Sequence, residues 1–184
     1  MLQQDIMSLK NTCPDDFCKL VIGEANALNA WSKSITVGEM SKGAIDEYGP
    51  RQSSQISITT TPQWKVFDDV IYGIFSKGLT KFGDLLGYPT PVSKDEGYML
   101  LRYTEGQEYT VHTDTIRDRP RLVSGLLYLN DDYTGGELHF PRQNLTIKPE
   151  AGTLVMFHAN ASYPHASLPI TSGVKYVVVT WFIH

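Results

Sequence analysis

Between Tyr109 and Thr115 the chain reads YTVHTDT. In an extended segment alternate side chains point to the same face. His112 and Asp114 would then project together, with Thr113 turned away. A histidine beside a carboxylate is either a pair of metal ligands or a polar strand face, and a distant third ligand has to decide. Histidines stand at 112, 139, 158, 165 and 184. One more imidazole beside the pair would complete a two-histidine, one-carboxylate set, which leaves coordination positions open on non-haem Fe(II). His158 and His165 both qualify by position alone. His139, within GELHF, reads as a strand-face residue, and His184 carries no assignment.

A second chemical signal lies in the apolar run VKYVVVTWFI. As a strand it places Lys175, Val177, Val179 and Trp181 on one face, and Tyr176, Val178, Thr180 and Phe182 on the other. The lysine therefore points where core residues point. Burying that ammonium is costly unless it finds a partner. An anionic cosubstrate would be such a partner.

These residues sit in a stretch of distinct character. From Gly97 onward come GYMLLRYT, EYTVHTD, RLVSGLLYLN, GELHF, LTIKP, GTLVMF and GVKYVVVTWFI, short runs rich in β-branched and aromatic residues and punctuated by turn signals. Such spacing predicts a sandwich, jelly roll or barrel. The first half reads differently. NTCPDDFCKLVIGEANAL predicts a helix from Pro14, capped by Asn11 or Thr12, with Asp15 and Asp16 in its first turn. A longer helix starts at Thr61-Pro62, with an apolar stripe of Trp64, Phe67, Val70, Ile71, Ile74 and Phe75, weakened by Gly73 and Gly78. QISITT is a short strand candidate. Residues 38–55 are polar and rich in glycine and serine, and read as a lid or substrate loop.

Composition narrows the classes. The chain has 184 residues, 41% hydrophobic and 20% charged, with a net charge of −4. That balance fits one soluble domain and argues against a broad nucleic-acid or membrane surface. Arg117, Arg119 and Arg121 form one local basic cluster, interrupted by Asp118 and Pro120. MLQQDIMSLK has no apolar core of a secretory signal. The cysteines, Cys13 and Cys18, form neither a disulfide framework nor a CxxC motif. A reducing, cytoplasmic setting is the expectation.

Taken together, YTEGQEYTVHTD, RLVSGLLYLND, GGELHFP, IKPEAGTLVMF and HASLPITSGVKYVVVTWF resemble, in order, the 2-oxoglutarate- and Fe(II)-dependent dioxygenases of the prolyl 4-hydroxylase-like family. The resemblance covers about the last ninety residues; CPDDFCKLVIGEA resembles the family's opening helix more weakly. It implies an α+β, mainly β fold: a double-stranded β-helix, or jelly roll, with flanking N-terminal helices. The chain would be one domain over 1–184, with helical support in 1–90 and a jelly-roll core over about 97–184. It further implies His112, Asp114 and His165 as the Fe(II) ligands. Lys175 would pair with the distal carboxylate of 2-oxoglutarate, helped by the Tyr103 hydroxyl. Ascorbate is the optional further cofactor.

The chain departs from the family pattern at Tyr176, where tryptophan is common, at Ser124, where threonine is common, and in the short segment HANASYPH. Related halogenases lack a carboxylate at the Asp114 position, so its presence favours hydroxylation. The implied reaction hydroxylates an unactivated C–H and releases succinate and CO2. A prolyl or other residue of a peptide or protein is the expected substrate. The same chemistry on a small molecule such as a free amino acid is the alternative, and a catalytically silent jelly-roll binding module is a third reading.

Overall fold

The computed structural model describes residues 2–34, 51–115 and 121–184. Of the predicted lid, 38–50 lie outside the described residues, as do Arg117 and Arg119.

In chain order the strands are β1 (Leu2–Gln3), β2 (Ile6–Leu9), β3 (Ser32–Lys33), β4 (Ser54–Ser57), β5 (Lys94–Asp95), β6 (Met99–Tyr103), β7 (Tyr109–His112), β8 (Arg121–Tyr128), β9 (Thr134–Gly135), β10 (Leu138–Phe140), β11 (Leu145–Ile147), β12 (Leu154–His158), β13 (His165–Ser167), β14 (Ile170–Ser172) and β15 (Lys175–Ile183). Two α-helices precede the main strands, α1 (Asp15–Leu28) and α2 (Lys65–Leu86). A major sheet runs β1-β2-β12-β8-β15-β6-β4-β3, with β5 also on β15. A minor sheet runs β11-β10-β13-β7, and β14 pairs with β9. All pairings are antiparallel, giving the expected jelly roll.

Side-chain alternation builds two cores. Leu154 and Met156 of β12 face the helices, joined by Ile71 and Phe75 of α2 and Val21 of α1. Val155 and Phe157 face the minor sheet, joined by Leu138 and Phe140. The major sheet is thus buried on both faces, which is why its strands read as continuous apolar runs. In β15, Val177 and Val179 join the inter-sheet core, while Tyr176, Val178 and Phe182 join the helix side, as the period of two requires.

Several local expectations need correction. Neither Asn11 nor Thr12 caps α1: the cap residue is Pro14, without a side-chain hydrogen bond. The Thr12 hydroxyl donates instead to the Gly152 carbonyl at 2.8 Å. Cys13 and Cys18 flank this start as the residue before the cap and the fourth helical residue, and both are buried in the helix-side core. That is the placing of a hydrophobic staple. The second helix begins with a 3-10 turn at Pro62–Trp64, and Thr61 caps it without a side-chain bond. Val70, assigned to the apolar stripe, is 40% exposed. Residues 1–90 are not helical support alone, because β1 to β4 extend both edges of the major sheet. Ser54, read as loop, belongs to β4 and pairs with β6.

Candidate metal and cosubstrate site

Three side chains converge where the minor sheet faces the major one. β13 pairs with β7 so that His165 stands directly opposite His112. Facing residues in an antiparallel pair have Cβ atoms about 4.5–5.5 Å apart, and here the imidazole centroids are 4.2 Å apart. β7 ends at His112, so Asp114 lies two residues past the strand rather than within it. The chain nonetheless brings its carboxylate beside both rings, Oδ1 at 3.7 Å from His112 Nε2 and Oδ2 at 3.5 Å from His165 Nε2. One ligand atom of each residue lies within 4.8 Å of the others, and this is the only such His/Cys/Asp/Glu group among the described residues.

The surroundings prepare both imidazoles to ligate through Nε2. His112 Nδ1 donates to the Thr110 carbonyl at 2.8 Å, and His165 Nδ1 donates to the Tyr163 carbonyl at 3.1 Å. Each bond occupies the far nitrogen, which leaves the near one a lone pair. Burial, with His165 alongside, pushes the His112 pKa down to about 4. Burial would raise Asp114, but the two histidines, the Ser124 hydroxyl and the Trp181 indole outweigh it and hold the carboxyl below its ordinary value. An ionised carboxylate and a neutral imidazole are the forms that bind a cation. The donor set therefore fits Fe(II).

Lys175 lines the same cleft. It is 1% exposed, and burial pushes its pKa down to about 7. Its Nζ donates to the Gly136 carbonyl at 2.9 Å and to Ser167 Oγ, both neutral. Gly136 adopts φ +67°, and a Cβ there would lie 2.3 Å from Ile170 Cδ1, so the turn needs glycine. Tyr103 lies below the ammonium, 4.5 Å from ring centroid to Nζ. Its hydroxyl is buried, and its pKa is raised by that burial. The cleft has a free volume of about 50 Å³, and Leu101, Leu126, Leu138, Val177, Val179 and Trp181 form its apolar walls.

The other sequence candidates stand apart. His158 ends β12, and its ring packs on Phe82 and Tyr163. His139 is on β10, where its Nδ1 shares a hydrogen bond with the Thr146 hydroxyl. Arg121 is committed to structure: it donates twice to Glu96 Oε2, at 2.6 and 2.9 Å, and lies 3.7 Å over the Trp181 ring. Arg51, from the predicted substrate loop, lines the cleft, as do Tyr109, Tyr128 and Ser167, which sequence reasoning passed over. Tyr109 stacks on His112 with ring centroids 3.4 Å apart. Strand parity could have found Tyr128, which shares a face of β8 with Ser124.

Residues 98–183 match the model of the 2OG-Fe(II) oxygenase superfamily. A putative prolyl 4-hydroxylase of Acanthamoeba polyphaga mimivirus is 29% identical over 115 residues, 52% of this chain and 48% of that protein. The probable prolyl 4-hydroxylase 9 of Arabidopsis thaliana is 31% identical over 120 residues, 50% of this chain and 42% of that protein. The chain thus spans about half the length of these curated relatives. Among solved structures, the viral collagen prolyl hydroxylase of Paramecium bursaria Chlorella virus-1, in its 2OG complex, superposes with a TM-score of 0.69 at 24% identity, covering 97% of this chain and 96% of that one. A Trichoplax adhaerens prolyl hydroxylase, in complex with a hypoxia inducible factor peptide fragment, gives 0.78 at 18% identity, covering 98% and 84%. At these identities the structural matches speak for the fold. No helix among the described residues is long and apolar enough to cross a membrane.

Proposed function

We propose that this chain, whose residues 98–183 belong to the 2OG-Fe(II) oxygenase superfamily, is a 2-oxoglutarate-dependent dioxygenase that hydroxylates a prolyl or other residue of a peptide or protein. The observation that carries this reading is a His–Asp–His cluster and a buried lysine facing one cleft. His112, Asp114 and His165 would hold Fe(II), and Lys175 with the Tyr103 hydroxyl would hold the distal carboxylate of 2-oxoglutarate. Bound there, iron and cosubstrate supply the oxidising power for C–H hydroxylation, with succinate and CO2 as co-products.

The chain's own residues supply orientation and dryness. The Lys175 ammonium, whose hydrogen-bond partners are both neutral, gains a charge-assisted hydrogen bond when a carboxylate arrives. The aliphatic walls exclude water from the space between cation and metal ligands. Ascorbate would act as a reductant from solution, with no residue assigned to it. The peptide substrate is supported by the names of the similar proteins, one neighbour being a complex with a peptide fragment. Two buried free cysteines suit a reducing, cytoplasmic location, and the domain would span 1–184.

The test is succinate release against a panel of proline-rich peptides and free amino acids, with mass spectrometry of the products. A peptide gaining one oxygen is the expected result. Oxidation of a free amino acid alone would move the substrate to the small-molecule class. No succinate with any substrate would leave a binding module.

A further inference from the structure

We propose that Ser124 is a positioning residue for the metal site, its buried hydroxyl setting the orientation of Asp114, the one ligand that the sheet does not hold. This inference rests on the proposed function. His112 and His165 are fixed by the ladder between β7 and β13. Asp114 has no such support, because β7 ends two residues before it. Rotation about the last side-chain torsion of an aspartate is soft, so its carboxylate plane must be set from outside the strand.

Ser124 does this from the opposite sheet. Its Oγ donates to Asp114 Oδ2 at 2.6 Å, and both residues are buried. Ser124 sits within β8 with Phe157 of β12 opposite on one side and Trp181 of β15 on the other. Its backbone is therefore tied into the major sheet on both flanks. A carboxylate can only accept here, so the hydroxyl proton is committed to it. The Trp181 indole also acts on the same carboxyl and favours its ionised form. The major sheet thus grips the acidic ligand of a site whose two basic ligands belong to the minor sheet. Outer partners of metal ligands commonly carry 10–100-fold in affinity.

The experiment titrates Co(II), a redox-inert probe of the Fe(II) site, into the wild type, Ser124→Ala and Ser124→Thr, following the visible absorption bands and the dissociation constant. Thermal unfolding of the metal-free proteins reads packing separately. Ser124→Ala should weaken Co(II) binding roughly 10–100-fold and alter the spectrum. Ser124→Thr keeps the hydroxyl and should restore both. Ser124→Gly repeats the measurement if the alanine variant does not fold. Wild-type affinity and spectrum in Ser124→Ala or Ser124→Gly would overturn the inference while leaving the proposed function standing. Equal weakening in Ser124→Thr would also overturn it, because size rather than the hydroxyl would then matter. A wild type that binds no Co(II) would overturn the proposed function itself, and the inference with it.

Discussion

His112 and His165 are direct cross-strand partners, although 53 positions separate them in the chain (165 − 112). One register of β13 against β7 therefore places both imidazoles, and each ring is oriented by the carbonyl two residues before it. A slip of one residue in this pairing would turn one ring away from the other.

Replacing His165 with alanine should abolish metal binding and turnover, whereas His158→Ala should keep most of both. His158 packs on Phe82 and Tyr163 and belongs to no ligand cluster among the described residues. Calorimetric Co(II) titration with a succinate assay checks this. Loss of binding in His158→Ala with retention in His165→Ala would exchange the two roles.

Lys175→Met keeps about the volume of the aliphatic stem and removes the charge. A charge-assisted hydrogen bond contributes about 1.5–3 kcal/mol net. The KM for 2-oxoglutarate should rise roughly ten- to a hundred-fold, with Co(II) affinity largely kept. An unchanged KM would show that the cosubstrate is held elsewhere.

The same lysine predicts a pH dependence. Burial lowers its pKa from an ordinary 10.5 to about 7 in the free protein. Capture of a carboxylate needs the ammonium form, so apparent affinity for 2-oxoglutarate should fall roughly tenfold per pH unit above that value. Stability runs the other way. Between the two values the native state holds fewer protons than the unfolded chain, so unfolding free energy rises with pH across this window and falls again as pH drops towards 7. Lys175→Met should flatten both profiles. A KM constant from pH 6.5 to 9 in the wild type would mean a lysine charged throughout.

Two helical glycines of α2 should respond in opposite directions. A Cβ at Gly73 would meet nothing within 4 Å, whereas one at Gly78 would lie 2.2 Å from Leu154 Cδ2. Gly73→Ala should stabilise by about 0.5–1 kcal/mol. Gly78→Ala should destabilise by about 1–3 kcal/mol, because the buried Leu154 side chain would have to shift within a packed core. Urea unfolding of both variants decides; a stabilising Gly78→Ala would contradict the close approach of helix and sheet.

Much of the molecule is legible in residue order alone. Period-two alternation in VKYVVVTWFI assigned each side chain of β15 to its face, including the inward lysine, because a strand's geometry leaves no other choice. Apolar spacing and the Thr61-Pro62 start located α2, though not its opening 3-10 turn. MLQQDIMSLK went unread as structure because two short strands carry little local signal; β2 is a strand because β12 offers it an edge. Thr12 looked like a cap but bonds to Gly152, a partner 140 positions away that no local rule could supply. Periodicity alone left His158 and His165 equivalent, and family resemblance singled out His165. The β13–β7 register sets one beside His112, while the other lies across the sheet against Phe82. Ser124 beneath Asp114 is likewise a tertiary fact. Local sequence sets which way a side chain points, since that follows from backbone geometry within a few residues. Which distant side chain it meets depends on strand register, and that is settled only when the two sheets close over their shared core.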